Sequence, residues 1–214
     1  MKSKRSEFFD EAVVSGPGQK EFEERVYAEA QAKRWPRVAE GQGKFEGQVA
    51  VVTGAAGGQG EMEAKMIAQQ GAKVYMVDIE EEGLKRVESA IGADGGEAVA
   101  VLMDVADEGM WQKLVEKVLN ESGRLDVLVN NAGMCQNGTV LTETRESLNR
   151  IMDVDCWGVY NGMHYCAPAI IESGGGAIVN TCSYQGTHFG PGSFIGYAMA
   201  KAAVMGMTRA AATD

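Results

Sequence analysis

Histidine is nearly absent from this 214-residue chain, with two residues, and proline and cysteine are scarce, with four each. Cys135, Cys156, Cys166 and Cys182 form no C-x-x-C pair and lack the dense spacing of a disulfide scaffold, which points to a reducing compartment. His164 has no partner at metal-ligand spacing, so no metal is expected. No run of about 18 apolar residues occurs, and the opening MKSKRSEFFDEAVV reaches Glu7, Asp10 and Glu11 before any apolar stretch of signal-peptide length. The expectation is a cytoplasmic protein with no membrane partner. Positive charge is also short. The net charge is −10, and residues 45–214 carry twenty-two acidic against eleven basic side chains. That surface repels phosphate backbones, so no nucleic-acid partner is expected; solubility alone accounts for the charge.

Glycine, by contrast, is abundant: 28 residues, about 13% against a usual ~7%. Without a G-x-y period or proline this is no collagen, and the densest cluster, Gly54 to Gly60, reads as a tight turn built for close backbone approach. The length suits one ordinary domain. Residues 1–44 read as an N-terminal extension. Ser15-Gly-Pro-Gly18 is a breaker cluster, and Lys20 to Trp35 carries Phe22, Val26 and Ala30 four apart, a narrow helical stripe that Pro36 helps to end. This is a packing arm joined through a Gly41-Gln-Gly43 hinge.

Residues 45–214 alternate short apolar runs with helical stretches. The runs are Val49–Thr53, Lys73–Asp78, Ala98–Met103, Leu125–Val129 and Ala177–Asn180. Helices are expected over Gly60–Gln70, Glu80–Ile91, Asp107–Glu121, a long Glu143–Glu172 and Tyr197–Ala212. Continuous apolar runs between helices indicate strands buried on both faces of a parallel sheet. The fold class is therefore α/β, a doubly wound, Rossmann-like parallel sheet.

The first run enters Thr53-Gly54-Ala-Ala-Gly57-Gly58-Gln59-Gly60 and then a helix, the context in which backbone N–H groups and a helix N-terminus face a pyrophosphate. A structural tight turn would leave the same trace. Asp78 raises the reading above it: the residue ends the second run, 18 positions beyond Gly60, where a carboxylate accepts ribose hydroxyls. With Glu61 and Glu80 nearby and no Arg or Lys in the turn, NAD is favoured over NADP.

With these residues in place, the sequence resembles the short-chain dehydrogenase/reductase family over about residues 45–212. Thr53 to Gly60 is similar to the family's T-G-x-x-x-G-x-G, Asn130-Asn131-Ala132-Gly133 to its N-N-A-G, and Tyr197-Ala-Met-Ala-Lys201 to its Y-x-x-x-K. Asp104-Val105 sits where the family commonly places an Asp against adenine. The cofactor-binding set implied is Gly54, Gly58, Gln59, Gly60, Asp78, Asp104, Val105, Asn131, Ala132, Gly133, Tyr197 and Lys201. A Tyr and a Lys four apart share one helix face, so Lys201 can lower the ionisation range of the Tyr197 phenol. The resemblance implies that Tyr197 is the general acid/base and that Lys201 also binds the nicotinamide ribose. Ser183, before Tyr184-Gln-Gly186, looks like the catalytic serine of S-x-x-G, fourteen positions ahead of Tyr197 and across the Gly190-Pro-Gly-Ser-Phe194 loop; Ser193 is the runner-up.

One position departs from the family. Its V-N-x-x-G carries a catalytic Asn, and this chain has Val154-Asp155-Cys-Trp-Gly158. Asp155 keeps a backbone carbonyl but loses the amide donor, and it could pair with Lys201. Cys182 with His188 reads as packing rather than as a thiolate pair. The expected function is an NAD-dependent oxidoreductase moving hydride between nicotinamide and a secondary alcohol or ketone. The alternative is a non-catalytic dinucleotide-binding protein or inactive fragment. Only five strands precede Asp214 where six are expected, so the sheet is read as incomplete at its C-terminal edge, with homo-oligomers expected of a full-length form.

Overall fold

The computed structural model describes residues 43–188 and 193–213. The helix expected over Lys20–Trp35 and the rest of residues 1–42, and the centre of the Gly190 loop, lie outside the described residues. Five parallel strands form the sheet: β1 (Val49–Thr53), β2 (Lys73–Asp78), β3 (Glu97–Leu102), β4 (Val127–Asn130) and β5 (Ala177–Asn180), in the order β3-β2-β1-β4-β5. The connecting helices are α1 (Gly58–Gln69), α2 (Glu81–Ala93), α3 (Glu108–Ser122), α4 (Arg145–Met152), α5 (Gly158–Glu172) and α6 (Ile195–Ala211).

Strand periodicity divides the core in two. Val49 and Val51 of β1 face the same side as Tyr75, Val77 and Leu128, and there meet Trp111, Leu114 and Val118 of α3 and Cys166 and Ile170 of α5. Ala50 and Val52 face the other side with Val74, Met76, Val127 and Val129, against Ala64 and Ala68 of α1 and Leu84, Val87 and Ile91 of α2. Each buried Val, Leu, Ile or Met side chain among them contributes roughly 1.5–3 kcal/mol. Central β1 is buried along its whole length. The expectation of strands buried on both faces fails at the two edges: β3 is half-buried, and β5 leaves Val179 51% exposed. Among the described residues each edge strand has one neighbour, β2 for β3 and β4 for β5, so less of each is covered.

The chain leaves β1 toward β2 on one side of the sheet and passes from β3 to β4 on the other. The strand order reverses between β1 and β4, and the crevice outside their carboxyl ends is the natural ligand site of such a sheet. Helix ends are fixed locally. Glu80 accepts the N–H groups of Glu82 and Gly83 at the start of α2, Asp107 those of Gly109 and Met110 at α3, and Thr144 that of Ser147 at α4. The single long helix expected over Glu143–Glu172 is two helices joined by a π turn, Asp153–Trp157. Among the described residues no helix is long and apolar enough to cross a membrane.

Candidate active site

Thr53 ties the two central strands together at the crevice. Its hydroxyl donates to the Val129 carbonyl (3.3 Å) and accepts from the N–H groups of Asn131 and Ala132 (3.0 Å each). The Asn131 amide donates to the Thr53 carbonyl at 3.1 Å, so this side chain braces the turn. Gly54 has φ +68°, and a Cβ there would lie 2.9 Å from Ala132 Cα; at Gly60 a Cβ would lie 2.2 Å from the Gly54 carbonyl oxygen. Those two contacts explain the glycines at both ends of the turn. Gly58, with φ +54°, instead borders open space. Helix α1 starts after Gly57 without a side-chain cap, and the Gln59 amide turns away to Glu63 (2.9 Å). The first N–H groups of α1 therefore have room and polarity for an anion such as a pyrophosphate.

Asp78 closes the adjacent side. Its Oδ2 accepts from Ala56 N (3.0 Å) and its Oδ1 from Ile79 N (2.8 Å) and Glu80 N (3.1 Å). The carboxylate is thus fixed at the end of β2, half-buried, with lone pairs left for hydroxyl donors. Asp104 is exposed beyond β3, accepting from Ala106 N (2.9 Å), while Val105 is buried and takes the Trp111 indole N–H on its carbonyl (2.9 Å).

Sequence reasoning missed a clamp behind this turn. Glu61 is fully buried; its carboxylate receives both Nη atoms of Arg86 (2.8 and 2.7 Å) and the Lys65 ammonium (2.6 Å). Arg86 Nη2 also donates to the Ala56 carbonyl at 2.9 Å. This bidentate geometry ties α2 to the glycine turn. Only the Glu61–Lys65 spacing of four was a signal in the sequence.

On the β4–β5 side the polar residues converge. Ser183 follows β5 and caps the short turn Tyr184–Gly186, its hydroxyl accepting from Gln185 N at 3.2 Å. Tyr197 and Lys201 lie one turn apart on α6, with the ammonium 5.5 Å from the phenol ring centre. Lys201 is 3% exposed, and its Nζ donates to the Thr181 carbonyl (3.1 Å). Asp155 sits in the π turn, fully buried, with Oδ2 3.2 Å from the same Nζ and Oδ1 accepting from Met134 N at 2.7 Å. The contact to Oδ2 is ionic without hydrogen-bond alignment, and that oxygen has no other partner. Burial holds the Asp155 carboxyl above its ordinary range, and the Lys201 charge and the Met134 N–H offset only part of that rise. Gly133 roofs the pair: a Cβ there would come within 2.9 Å of Oδ2.

The structure thus brings Ser183, Tyr197, Lys201 and Asp155 to one end of the sheet, together with Gly133. Ser193 is exposed just ahead of α6. Cys182 directs its thiol to the Lys201 carbonyl (3.2 Å), whereas His188 bonds Thr187 (2.7 Å) and stacks on Tyr184, so the two do not form a thiolate pair. His164 stacks on Tyr160. An open cleft of about 520 Å³ lies beside α6, bordered by Thr139, Gln185, His188, Phe194 and Met199.

Residues 48–214 match the sequence profile of the short chain dehydrogenases. An uncharacterized oxidoreductase of Thermotoga maritima is 38% identical over 170 residues, which is 79% of this chain and 66% of that protein. A cyclohexanol dehydrogenase of an Acinetobacter species is 39% identical over 172 residues, 80% of this chain and 68% of that one. Among solved structures, a short chain dehydrogenase from Mycobacterium paratuberculosis bound to NAD superposes with a TM-score of 0.77 at 34% identity, covering 80% of this chain and 68% of its own. The chain spans about two thirds of the length of these relatives. The five-stranded parallel sheet with helices on both faces agrees with this likeness, and the chain belongs to the short chain dehydrogenase family.

Proposed function

We propose that the chain binds NAD across the carboxyl ends of β1 and β4 and catalyses hydride transfer between the cofactor and a small secondary alcohol or its ketone. The observation that carries this reading is the burial of Lys201 one turn from Tyr197, with its ammonium fixed by the Thr181 carbonyl and Asp155. A lysine is rarely buried without a task. The Gly58–Gly60 N–H groups would hold the pyrophosphate, Asp78 the adenosine ribose, and Asp104 would lie toward the adenine. Bound NAD supplies the hydride acceptor at C4 of its nicotinamide.

In the oxidation direction Tyr197, as phenolate, takes the proton of the substrate hydroxyl while the hydride leaves the carbinol carbon. Ser183 accepts from Gln185 N, which leaves its own proton to donate to the substrate oxygen. The Lys201 ammonium lies 5.5 Å from the phenol ring centre, and its remaining N–H is available to the nicotinamide ribose. Support for NAD over NADP comes from the Asp78 carboxylate, with Glu80 beside it, and from the engagement of Arg86 with Glu61. A cyclohexanol dehydrogenase and an NAD-bound dehydrogenase among the relatives support the same class of reaction.

The test is an NAD binding titration run beside the appearance of reduced cofactor with cyclic alcohols, polyols and hydroxy acids. Turnover that disappears in Tyr197→Phe is the expected result. Tight NAD binding with no turnover on any alcohol would favour the second reading, a dinucleotide-binding protein without catalysis, which Asp155 in place of an amide supports.

A further inference from the structure

Ala56, in the glycine turn, holds two groups of opposite charge. Its N–H donates to the Asp78 carboxylate (3.0 Å) and its carbonyl accepts from Arg86 Nη2 (2.9 Å), so the guanidinium lies less than about 10 Å from the carboxylate proposed to read the adenosine ribose. We propose that Glu61 is a positioning residue that sets cofactor preference: by binding Arg86 behind the turn, it withholds from a 2′-phosphate the cation that would otherwise accommodate one. The inference rests on the reading of this turn as the dinucleotide cradle.

A 2′-phosphate adds about two negative charges at the ribose, and dinucleotide folds that accept it place an Arg nearby. This chain has the Arg, on α2, but both of its Nη atoms are bound to the Glu61 carboxylate (2.8 and 2.7 Å). Glu61 is fully buried and takes the Lys65 ammonium as well, so the acid is fixed and Arg86 is held to it. Gly83, three residues ahead of Arg86, lets α2 come close enough for this: a Cβ there would lie 2.6 Å from the Ala56 carbonyl oxygen. The space toward the ribose is not filled. Arg86 leaves 47% of its side chain exposed, Gly57 carries no side chain, and a Cβ at Gly58 would meet nothing within 4 Å. The neighbouring acids have other tasks, Glu80 as the cap of α2 and Glu81 and Glu82 as partners of Lys85. Preference is thereby set twice, by Asp78 repelling the phosphate and by Glu61 restraining its counter-charge.

The experiment is a pair of equilibrium titrations, NAD and NADP, on the unmutated chain and on Glu61→Gln, Arg86→Gln and the double variant, read as the ratio of the two dissociation constants. That ratio cancels damage to the turn itself, which both cofactors share, so a merely structural role for Glu61 would leave it still. Glu61→Gln keeps the shape and removes one negative charge beside Arg86; it should move the ratio at least about tenfold toward NADP. Adding Arg86→Gln should return the ratio to within about threefold of the unmutated value, and Arg86→Gln alone should weaken both cofactors together. A Glu61→Gln chain that binds NAD with an unmoved ratio overturns the proposal, as does a double variant that keeps the gain. So does an Arg86→Gln chain that loses NADP about tenfold more than NAD, a result that needs no Glu61 variant to fold and would mean that the guanidinium already serves the phosphate. An unmutated chain that binds neither dinucleotide refutes the cradle and the proposal together, whereas NAD binding with an unmoved ratio refutes this proposal alone.

Discussion

Gly58 and Gly60 stand two residues apart in one turn, yet alanine at each should fail for a different reason. At Gly60 the new Cβ would sit 2.2 Å from the Gly54 carbonyl oxygen and 2.6 Å from Asn131 Nδ2. Neither neighbour can retreat cheaply: Gly54 is pinned at φ +68° against Ala132, and the Asn131 amide is bonded to Thr53 O. Overpacking against backbone costs about 1–3 kcal/mol or more, and the displaced Asn131 bond adds roughly 1 kcal/mol. Gly60→Ala should therefore lower the melting temperature by roughly 5–15 °C, taking about 2–4 °C per kcal/mol for a domain of this size. At Gly58 the Cβ meets nothing within 4 Å, but φ is +54°, so the cost to the fold is limited to about 1 kcal/mol of left-handed strain. The methyl would instead stand over the uncapped start of α1, where the pyrophosphate is proposed to lie. Gly58→Ala should weaken NAD by at least about tenfold, ~1.4 kcal/mol, while melting within a few degrees of the unmutated chain. Thermal denaturation and an NAD titration on the two variants separate the effects. A Gly58→Ala protein that binds NAD undiminished would refute the cradle, and a Gly60→Ala protein of full stability would refute the packing argument.

Asp78→Ala should shrink the preference for NAD over NADP from an expected ten-fold or more, measured as the ratio of kcat/KM values; equal use of both cofactors by the unmutated protein would sink the assignment. Tyr197→Phe should lose nearly all turnover with little change in NAD affinity, and a substantial residual rate would mean that another group moves the proton. Burial alone would raise the Asp126 carboxyl, but the Arg124 guanidinium and the Val49 N–H at 2.8 Å outweigh it and hold it below its ordinary range. Because the folded value is the lower one, its contribution is present above about pH 4 and is lost as pH falls through the folded value. Asp126→Asn should cost about 1–2 kcal/mol at neutral pH, and denaturant melts should show that gap closing in acid; a gap independent of pH would contradict the assignment.

Much of the fold was legible because its signals are local. The apolar runs at Val49–Thr53, Lys73–Asp78 and Ala177–Asn180 coincide with β1, β2 and β5 from end to end, since a buried parallel strand needs continuous apolar residues and little else. Leu125 is the exception. It is fully buried and belongs to the apolar run, but strand pairing starts at Val127; just ahead of it the Asp126 carboxylate takes the Arg124 guanidinium and the Val49 N–H of β1. The glycine turn was legible for the same local reason, with Thr53, Gly54 and Gly60 adjacent in sequence and in space. The Glu61–Arg86 clamp was not, because 25 residues and a whole strand separate its halves and neither has a pattern that requires the other.

The π turn shows where local reading stops and why the stop falls at the site. Periodicity over Glu143–Glu172 gives one helix, and the apolar residues on both sides of Asp153–Trp157 fit that period. One extra residue per turn does not disturb a hydrophobic stripe enough to be seen, yet it rotates everything after it by about 100° relative to everything before. Ile151, ahead of the turn, reaches the small core with Ala200 of α6, while Cys166, after it, faces the sheet. A continuous α-helix would have to give up one of those contacts. The same offset carries Asp155 inward, fully buried, to Lys201 and Met134 N. Burying an unpaired carboxylate costs several kcal/mol, and here the charge is met by an ammonium and a backbone N–H, so the turn is stable with an acid at its centre. Whether the residue there is Asp or Asn changes the charge of the site but not its shape. The charge beside Lys201 is set by this one side chain.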